Sequence, residues 1–283
     1  MSSNHALQRA KRLFQAAKAG HGGSLDPLAT GLLPIFFGSA TKLAAFLLEA
    51  RKTYSVTARL GIATNTGDAE GAVTADRSAD PAPDSVAIAA ALARHMGEIE
   101  QVPPMFSALK RGGVPLYRLA RSGQEVPREP RRVVIEELRL DRYEWPVLTL
   151  TVRCSKGTYV RTLVEDISAA AGTVGHVTAL RRIAVEPFQD NVMHAFESLE
   201  ATEPNGVAAL DRLLLAPSAA LAGWPMAQVG ADAMARLARG QSILADRHLP
   251  MGRVKVEGPT GELIAIAEVT ADRQLAPTRV FIR

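Results

Sequence analysis

The 283-residue sequence has little of several features that would point directly to a function. It contains one cysteine, Cys154, which excludes an internal disulfide and a cluster of thiolate metal ligands. Apolar runs such as Leu32 to Phe37 are far shorter than the roughly 20 residues that cross a bilayer. Residues 1–14 also lack the hydrophobic segment of a signal peptide. These absences favour a cytoplasmic protein that has no membrane partner.

Motifs for metals, nucleotides and activated serines are also missing. The six histidines are scattered without an i, i+4 pair, which argues against a zinc site. The stretch GHGGSLDPLATG, residues 20–31, lacks the Gly-Lys-Ser/Thr end of a phosphate loop. Ser24 is followed by Leu25 and Asp26, which does not fit a Gly-x-Ser-x-Gly nucleophile elbow. We therefore expect chemistry without a metal or cofactor, and Asp26 is the candidate for it.

Positive charge is concentrated in two stretches of the chain. Residues 1–52 contain seven Lys or Arg and two acidic residues, and residues 104–132 contain the same numbers, although the net charge of the chain is only +4. The remainder is therefore net negative. Such segregation is typical of proteins that bind a polyanion such as RNA. The simpler alternative is that these side chains only solvate helix faces.

Hydrophobic periodicity predicts an α+β protein. Segments with helical spacing are residues 7–17, 40–50, 85–100 and the segment that follows Thr158. KTYSVTARLG alternates as a strand, and VVIEELRLDRYEW and VLTLTVRCS are predicted to pair as two more. Residues 63–84 are rich in Asp, Gly and Pro, and residues 101–132 are broken by Pro and Gly; both segments are predicted to be irregular. Short strand-like segments near the end of the chain predict a small β-rich domain.

An Asp-Pro pair in a glycine-rich segment is, by itself, most typical of a turn aspartate that bonds its own backbone. However, GHGGSLDPLATG resembles the motif G-H-x-G-x-L-D-P-x-A-x-G-x-L of the TruB family of tRNA pseudouridine synthases. Other segments resemble further motifs of that family in the same order: KTYSVTARLG, TNTGDAEG, PPMFSALKRGGVPLYRLARSG, CSKGTYVRTLVEDI and HVTALRRIAVEPF. The resemblance covers Ser2 to about Phe188. LARGQSI and LAPTRVFIR resemble the family's small PUA-like RNA-binding domain, less specifically.

The resemblance implies both a fold and an activity. Residues 1–222 would form a catalytic domain with a mixed, mainly antiparallel sheet and flanking helices, in which residues 104–132 are an RNA-gripping insertion. Residues 223–283 would form a PUA-like domain. A monomer without cofactor or protein partner would then isomerise the T-loop uridine at position 55, in tRNA numbering, to pseudouridine. The alternative is a non-catalytic RNA-binding or tRNA-folding protein, against which the complete set of Asp26, Tyr54 and Arg161 argues.

The family motifs assign a role to each residue of that set. Asp26 would be the catalytic carboxylate on a flipped-out uridine, with Arg161 as its ion-pair partner, because a nearby opposite charge favours the ionised form. Attack on the base, attack on the sugar and removal of a sugar proton all need one such carboxylate, and the sequence does not distinguish them. Arg161 would otherwise pair with Glu165 on its own helix surface.

The resemblance also implies residues that bind the substrate. Tyr54 would stack on the target base, Tyr159 and Leu180 would line the uracil pocket, and His21 would support the rearranged T-loop. Otherwise, Tyr54 would be an ordinary core residue and His21 an ordinary loop residue. Basic side chains in the two positive stretches would contact phosphates; these are Lys18, Lys110, Arg111, Arg118, Arg121, Arg128, Arg131 and Arg132.

The sequence departs from the family pattern at a few positions. Gly22 and Ser24 stand where threonine and alanine are usual, and we expect them to loosen the glycine-rich loop. Glu186 stands where glycine is usual, which questions the local strand geometry. Family members also begin with a hydrophobic strand and a Lys-Pro turn, which this sequence lacks before its first helix. We expect an unpaired sheet edge and lower stability than in a protein that has these segments.

Overall fold

A computed structural model describes residues 1–189 and 193–282. Their α-helices are α1 Ser3–Leu13, α2 Ala44–Glu49, α3 Ser85–Arg94, α4 Leu116–Arg121, α5 Val160–Ala170, α6 Phe196–Thr202, α7 Val207–Asp211 and α8 Ala231–Ala238. The first strands are β1 Ala19–His21, β2 Thr30–Gly31, β3 Ile35–Phe37, β4 Lys52–Leu60, β5 Ile62–Thr64, β6 Val73–Asp76, β7 Gly97–Gln101, β8 Lys110–Arg111 and β9 Val114–Pro115. The remaining strands are β10 Arg131–Glu144, β11 Val147–Cys154, β12 Gly175–Val185, β13 Met226–Gln228, β14 Ile243–Leu244, β15 Gly252–Glu257, β16 Leu263–Val269 and β17 Gln274–Val280.

The chain divides into two compact units. The first comprises Met1–Ser24, Leu33–Leu48 and Pro187–Arg283, and the second comprises Leu25–Leu32 and Glu49–Glu186. Arg283, the last residue of the predicted segment LAPTRVFIR, lies outside the described residues. Among the described helices of both units, none is long and apolar enough to cross a membrane.

The second unit is built on a six-stranded sheet with the order β2-β12-β4-β11-β10-β7. Neighbouring strands are antiparallel, apart from the parallel pair β2 and β12. The predicted pairing of VVIEELRLDRYEW with VLTLTVRCS is confirmed as β10 and β11. Alternation in β4 directs Val56, Ala58 and Leu60 into the core, where at most 1% of each residue is exposed. Helices α3 and α5 contribute apolar side chains, such as Ile88 and Leu163, to the same core cluster.

Residues 97–100 were predicted as the end of a helix, and this prediction is wrong. Helix α3 ends at Arg94, and Gly97 follows with φ +81°, a conformation that favours glycine and stops a helix. The residues from Gly97 to Gln101 then form β7, which pairs with the start of β10. Pairing with a neighbouring strand therefore overrides the helical spacing. Two segments predicted to be irregular also contain regular structure: residues 63–84 include most of the β5–β6 hairpin, and residues 101–132 include the paired strands β8 and β9 and helix α4.

The first unit contains a five-stranded sheet with the order β13-β15-β16-β17-β14. Its core includes Val254, Val256 and Ile264 from the sheet and Leu237 from α8. A second cluster forms where Leu13 and Phe14 at the end of α1 pack with Leu199 and Leu210. Both units mix helices with mainly antiparallel strands, which confirms the predicted α+β class.

Candidate active site

The glycine-rich stretch is held at its start by backbone contacts. Strand β1 pairs with β3, and Gly22 N donates a hydrogen bond to Pro34 O at 2.9 Å. Gly22 is buried, and a Cβ added to it would lie 2.9 Å from the Cβ of Leu47. The prediction that Gly22 loosens the loop is therefore wrong, because the missing side chain allows close packing. A threonine in its place would force Leu47 to move.

The end of the stretch is tied to β12. Leu32 N donates to Arg182 O at 2.8 Å, and Arg182 Nε donates back to Leu32 O at 2.8 Å. Between the two ends, Ala29 N donates to Asp26 O at 2.9 Å and closes a turn. The Asp26 side chain remains 36% exposed. Within the second unit, the backbone from Asp26 to Leu32 is therefore tied to β12 and leaves the carboxylate accessible.

Gly31→Ala should destabilise the protein by at least about 2 kcal/mol, because Gly31 has φ +97° and an added Cβ would lie 2.2 Å from the backbone oxygen of Arg182. Gly38→Ala is the matched control, since Gly38 also has a positive φ, +56°, but has open space around a Cβ. Its cost should be about 1 kcal/mol. Chemical denaturation of the three proteins measures both values. Equal losses for the two variants would contradict the steric argument.

Arg161 connects the loop to the rest of the second unit. It lies in the first turn of α5, and its side chain is 4% exposed. Its Nε donates to Asp26 Oδ2 at 2.8 Å, Nη1 donates to Thr66 O at 2.5 Å, and Nη2 donates to Phe106 O at 2.9 Å. The guanidinium therefore faces the loop that carries Asp26, rather than solvent on the surface of its own helix.

Asp68 is a site residue that sequence reasoning missed. Its carboxylate is 6% exposed and lies 3.7 Å from Arg161 Nη1. The carboxylate also accepts hydrogen bonds from Thr66 Oγ1 at 2.7 Å and from Glu70 N at 3.1 Å. Arg161 thus lies between two carboxylates, those of Asp26 and Asp68. The available signal was the motif TNTGDAEG, to which the sequence analysis assigned no role.

Two tyrosines lie within electrostatic reach of Asp26. Burial raises the pKa of Tyr54 to about 12, and the negative charge of Asp26 contributes to the rise. Burial and, to a lesser degree, Asp26 also raise the pKa of Tyr159. Both phenols are therefore neutral at physiological pH. Tyr159 is fixed by Gln101, whose Oε1 accepts from Tyr159 N at 3.1 Å and whose Nε2 donates to Tyr159 O at 3.3 Å.

Leu180 belongs to the core cluster that Tyr54 packs against, and it is 6% exposed. Sequence reasoning missed two buried cations in the same sheet, Lys52 on β4 and Arg182 on β12. Lys52 Nζ donates to Ala50 O at 2.6 Å. Burial and the charge of Arg182 lower the pKa of Lys52 to about 8. The signal was a charged residue within each of two family motifs, Lys52 in KTYSVTARLG and Arg182 in HVTALRRIAVEPF.

The other predicted site residues lie elsewhere. His21 is half-buried at the end of β1, where its Nδ1 accepts from Gly23 N at 3.4 Å, and Lys18 is exposed in the same unit. In the insertion, Arg111 donates to Pro127 O and Arg128 donates to Pro103 O. Arg132 forms an ion pair with Glu98 at 3.3 Å. The remaining basic residues of this set are exposed: Lys110, Arg118, Arg121 and Arg131.

Glu186 does not disturb the strand that precedes it. Strand β12 runs to Val185, and Glu186 N donates to Arg51 O at 3.0 Å. The Glu186 carboxylate lies 3.6 Å from Arg153 Nη2 and 3.8 Å from Arg51 Nη1. Because these side chains are all partly exposed, the ion pairs contribute little to stability. They nevertheless account for a charged residue at this position.

Family models match nearly the whole chain. The model for the TruB family pseudouridylate synthase N-terminal domain matches residues 11–160. The chain belongs to the TruB family. Two further models match the rest: the tRNA pseudouridylate synthase B C-terminal domain over residues 161–222, and the C-terminal domain of pseudouridine synthase II TruB over residues 225–281. The predicted family is confirmed.

Curated TruB relatives match at high identity. A tRNA pseudouridine synthase B from Pseudomonas aeruginosa is 47% identical over 282 residues, which cover 99% of this chain and 92% of the relative. The protein of the same name from Chromohalobacter salexigens is 51% identical over 246 residues, covering 87% of this chain and 79% of the relative.

Solved structures match at lower identity. The structure of a Cbf5-Nop10-Gar1 complex contains a chain with a TM-score of 0.75 and 20% identity to this one, with coverage of 100% of this chain and 82% of that chain. An H/ACA RNP bound to a substrate RNA containing 2'-deoxyuridine gives a TM-score of 0.75 at 19% identity. These likenesses support the predicted fold of this TruB chain.

Proposed function

We propose that this protein converts the uridine at position 55 of the tRNA T-loop to pseudouridine, with Asp26 as the catalytic carboxylate. The protein is a tRNA pseudouridine synthase, an isomerase of the TruB family. The observation that supports the residue roles is the contact of 2.8 Å between Arg161 Nε and Asp26 Oδ2. It joins a nearly buried cation to a carboxylate that is still accessible to a substrate.

The reaction exchanges one bond for another within a single nucleotide. The glycosidic bond between N1 and C1′ breaks, the uracil turns, and a bond forms between C5 and C1′. N1 gains a proton and C5 loses one, so that substrate and product are isomers and no oxidant or reductant is consumed. Asp26 supplies the carboxylate for this exchange. Arg161 holds it in place and balances its charge where little water reaches the guanidinium.

A uridine that leaves its stack needs new contacts. The ring of Tyr54 provides a stacking face, worth about 1–3 kcal/mol for a base on an aromatic side chain. Tyr159 and Leu180 line the uracil pocket in this proposal, and His21 supports the T-loop after the uridine has left. Because the pKa of Tyr54 is about 12, its phenol acts as a neutral surface rather than as a base at neutral pH.

The positive stretches hold the T-arm backbone in this proposal. The protein acts in the cytoplasm, because its substrate tRNA is found there, and it acts as a monomer. Residues 1–222 carry the catalysis and residues 223–283 form a PUA-like RNA-binding domain. The exposed cations of the 104–132 insertion and Lys18 contact phosphates, which position RNA without reading its sequence.

Pseudouridine mapping tests the function directly. The protein is incubated with an unmodified tRNA transcript, and pseudouridine is located by chemical adduct formation and primer extension. We expect one modified position, at 55 of the tRNA, and none in a transcript that carries cytidine there. Modification at another position would contradict the proposed specificity. A transcript that stays unmodified would contradict the proposed activity and favour a non-catalytic RNA-binding protein.

Replacing Arg118 and Arg121 with Gln should weaken tRNA binding and flatten its salt dependence. Each lost phosphate contact should reduce the slope of log K against log salt by about 0.7–0.9. The matched control replaces Arg139 and Arg142 with Gln, which removes the same charge from side chains that pair with Asp141 and Glu144 on the sheet. Filter binding at several salt concentrations measures the slopes. Equal slopes for the two double variants would show that the helical arginines do not contact RNA.

A further inference from the structure

Strand β7 ends at a buried polar residue, Gln101. Only 2% of Gln101 is exposed, whereas the preceding residues of the strand, 97–100, are exposed or half-buried. The strand lies at the edge of the six-stranded sheet, where Gln101 pairs with Arg131 of β10. Burying an amide side chain is unfavourable unless its donor and its acceptor both find partners. The burial of Gln101 therefore depends on polar partners inside the protein.

Both polar atoms of the Gln101 side chain bind the backbone of one residue, Tyr159. Oε1 accepts a hydrogen bond from Tyr159 N at 3.1 Å, and Nε2 donates to Tyr159 O at 3.3 Å. Tyr159 is extended, with φ −98° and ψ 106°, so its N–H and its C=O point to the same side and one amide reaches both. The two residues are 58 positions apart. The two bonds therefore join the edge of the sheet to the start of α5.

Tyr159 is the N-cap of α5, but it does not fix this position in the usual way. N-caps are typically Ser, Thr, Asp or Asn, whose side chains bind the first turn. Within the described part of the chain, the Tyr159 side chain makes no capping hydrogen bond. A capping box would use Glu or Gln at the third helical position to bind the N-cap N–H, but this position holds Thr162. Gln101 binds that N–H from a distant strand.

We propose that Gln101 is a positioning residue for the isomerisation: it holds the backbone of Tyr159 and thereby fixes the ring of Tyr159 at the wall of the uracil pocket. Because Gln101 takes over the capping contact, the Tyr159 side chain is available to the substrate. The inference rests on the proposed function, since it takes Tyr159 as a group that lines this pocket. Such alignment matters because a misplacement of about 1 Å can cost on the order of a hundredfold in rate.

Single-turnover kinetics at saturating tRNA test the proposal. Gln101→Met keeps the length of the side chain, but it cannot donate to Tyr159 O and offers only a weak acceptor to Tyr159 N. We expect pseudouridine formation to slow by about 10–100-fold. The Kd for tRNA should stay within about twofold, because phosphate contacts dominate the affinity and Gln101 is too buried to make one. A loss confined to Kd would overturn the proposal.

Thr151→Val is the matched control for the loss of a buried polar side chain. Thr151 is 8% exposed, and its hydroxyl donates to Asp141 Oδ2 at 2.7 Å and accepts from Arg139 Nη2 at 3.0 Å. It lies in the same sheet, but on the face of β11 opposite to Leu150 and Val152 of the core. This variant should lose stability and keep its rate at saturating tRNA. Equal rate losses in the two variants would overturn the proposal, because general destabilisation would then explain both.

A double-mutant cycle separates positioning of the Tyr159 ring from a purely structural role. Tyr159→Ala removes the ring but keeps the backbone groups that Gln101 binds. In the Tyr159→Ala background, Gln101→Met should cost at least about threefold less in rate than it costs alone, because the ring that it positions is already missing. A purely structural role would leave the two rate effects independent, and that result would overturn the inference.

The outcomes are distinguishable from failure of the proposed function. Absence of pseudouridine with the unchanged protein would contradict the function itself. Normal conversion by the unchanged protein together with a normal rate for Gln101→Met would overturn only this inference. If Gln101→Met does not fold, Gln101→Asn decides the matter, since it keeps a polar amide but is one methylene too short to hold both backbone groups. Slow conversion by Gln101→Asn with an unchanged Kd would support the inference, and conversion at the rate of the unchanged protein would overturn it.

Discussion

Asp26→Asn should reduce pseudouridine formation by about a thousandfold or more, because the amide is nearly isosteric with the carboxylate but is a poor nucleophile and a poor base. The affinity for tRNA should stay within a few-fold, since phosphate contacts rather than this side chain hold the substrate. Single-turnover assays on a tRNA transcript give the rate, and filter binding gives the affinity.

Asp80→Asn is the matched control for this substitution. Asp80 also accepts a hydrogen bond from an arginine Nε at 2.7 Å, from Arg77, but both side chains are largely exposed. The control should leave the rate unchanged, because a surface pair of this kind has little energetic weight. Retention of more than a few per cent of activity by Asp26→Asn would show that another group performs the chemistry.

The part of the site that the sequence could predict consists of residues within contiguous motifs. Asp26 lies in a loop marked by its glycines, and Arg161 lies at the start of a clearly amphipathic helix, so each could be placed on a local element. Their contact spans 135 positions of the chain and depends on the sheet order. Local periodicity does not determine the order of strands in the sheet. The contact between Asp26 and Arg161 was therefore predicted from the family motifs instead.

The residues that sequence reasoning missed are polar side chains whose role depends on burial. Lys52 and Arg182 look like ordinary basic positions of alternating strands until β4 and β12 become neighbours and bury both. Asp68 looks like a turn residue until Arg161 approaches it. The strand β7 was missed for a related reason, because its pairing with β10 outweighs the helical spacing of residues 85–100.

The contacts of Arg161 predict separable effects on stability and catalysis. Arg161→Met should lower the free energy of unfolding by about 3–5 kcal/mol, because it leaves the nearly buried carboxylate of Asp68 without its cation. It should also abolish conversion, since Asp26 loses the donor that orients it. Arg153→Met is the control, because Arg153 pairs with two glutamates but is 34% exposed, and its loss should cost about 1 kcal/mol or less.

A second substitution separates the effect of Arg161→Met on stability from its effect on catalysis. In the double variant Arg161→Met with Asp68→Asn, the uncompensated buried charge is gone, so part of the lost stability should return. Activity should not return, because Asp26 still lacks its partner. Chemical denaturation measures the first quantity and single-turnover conversion the second. Arg161→Met with the stability of the unchanged protein would contradict the role of the buried ion pair, and an active double variant would show that Asp26 works without Arg161.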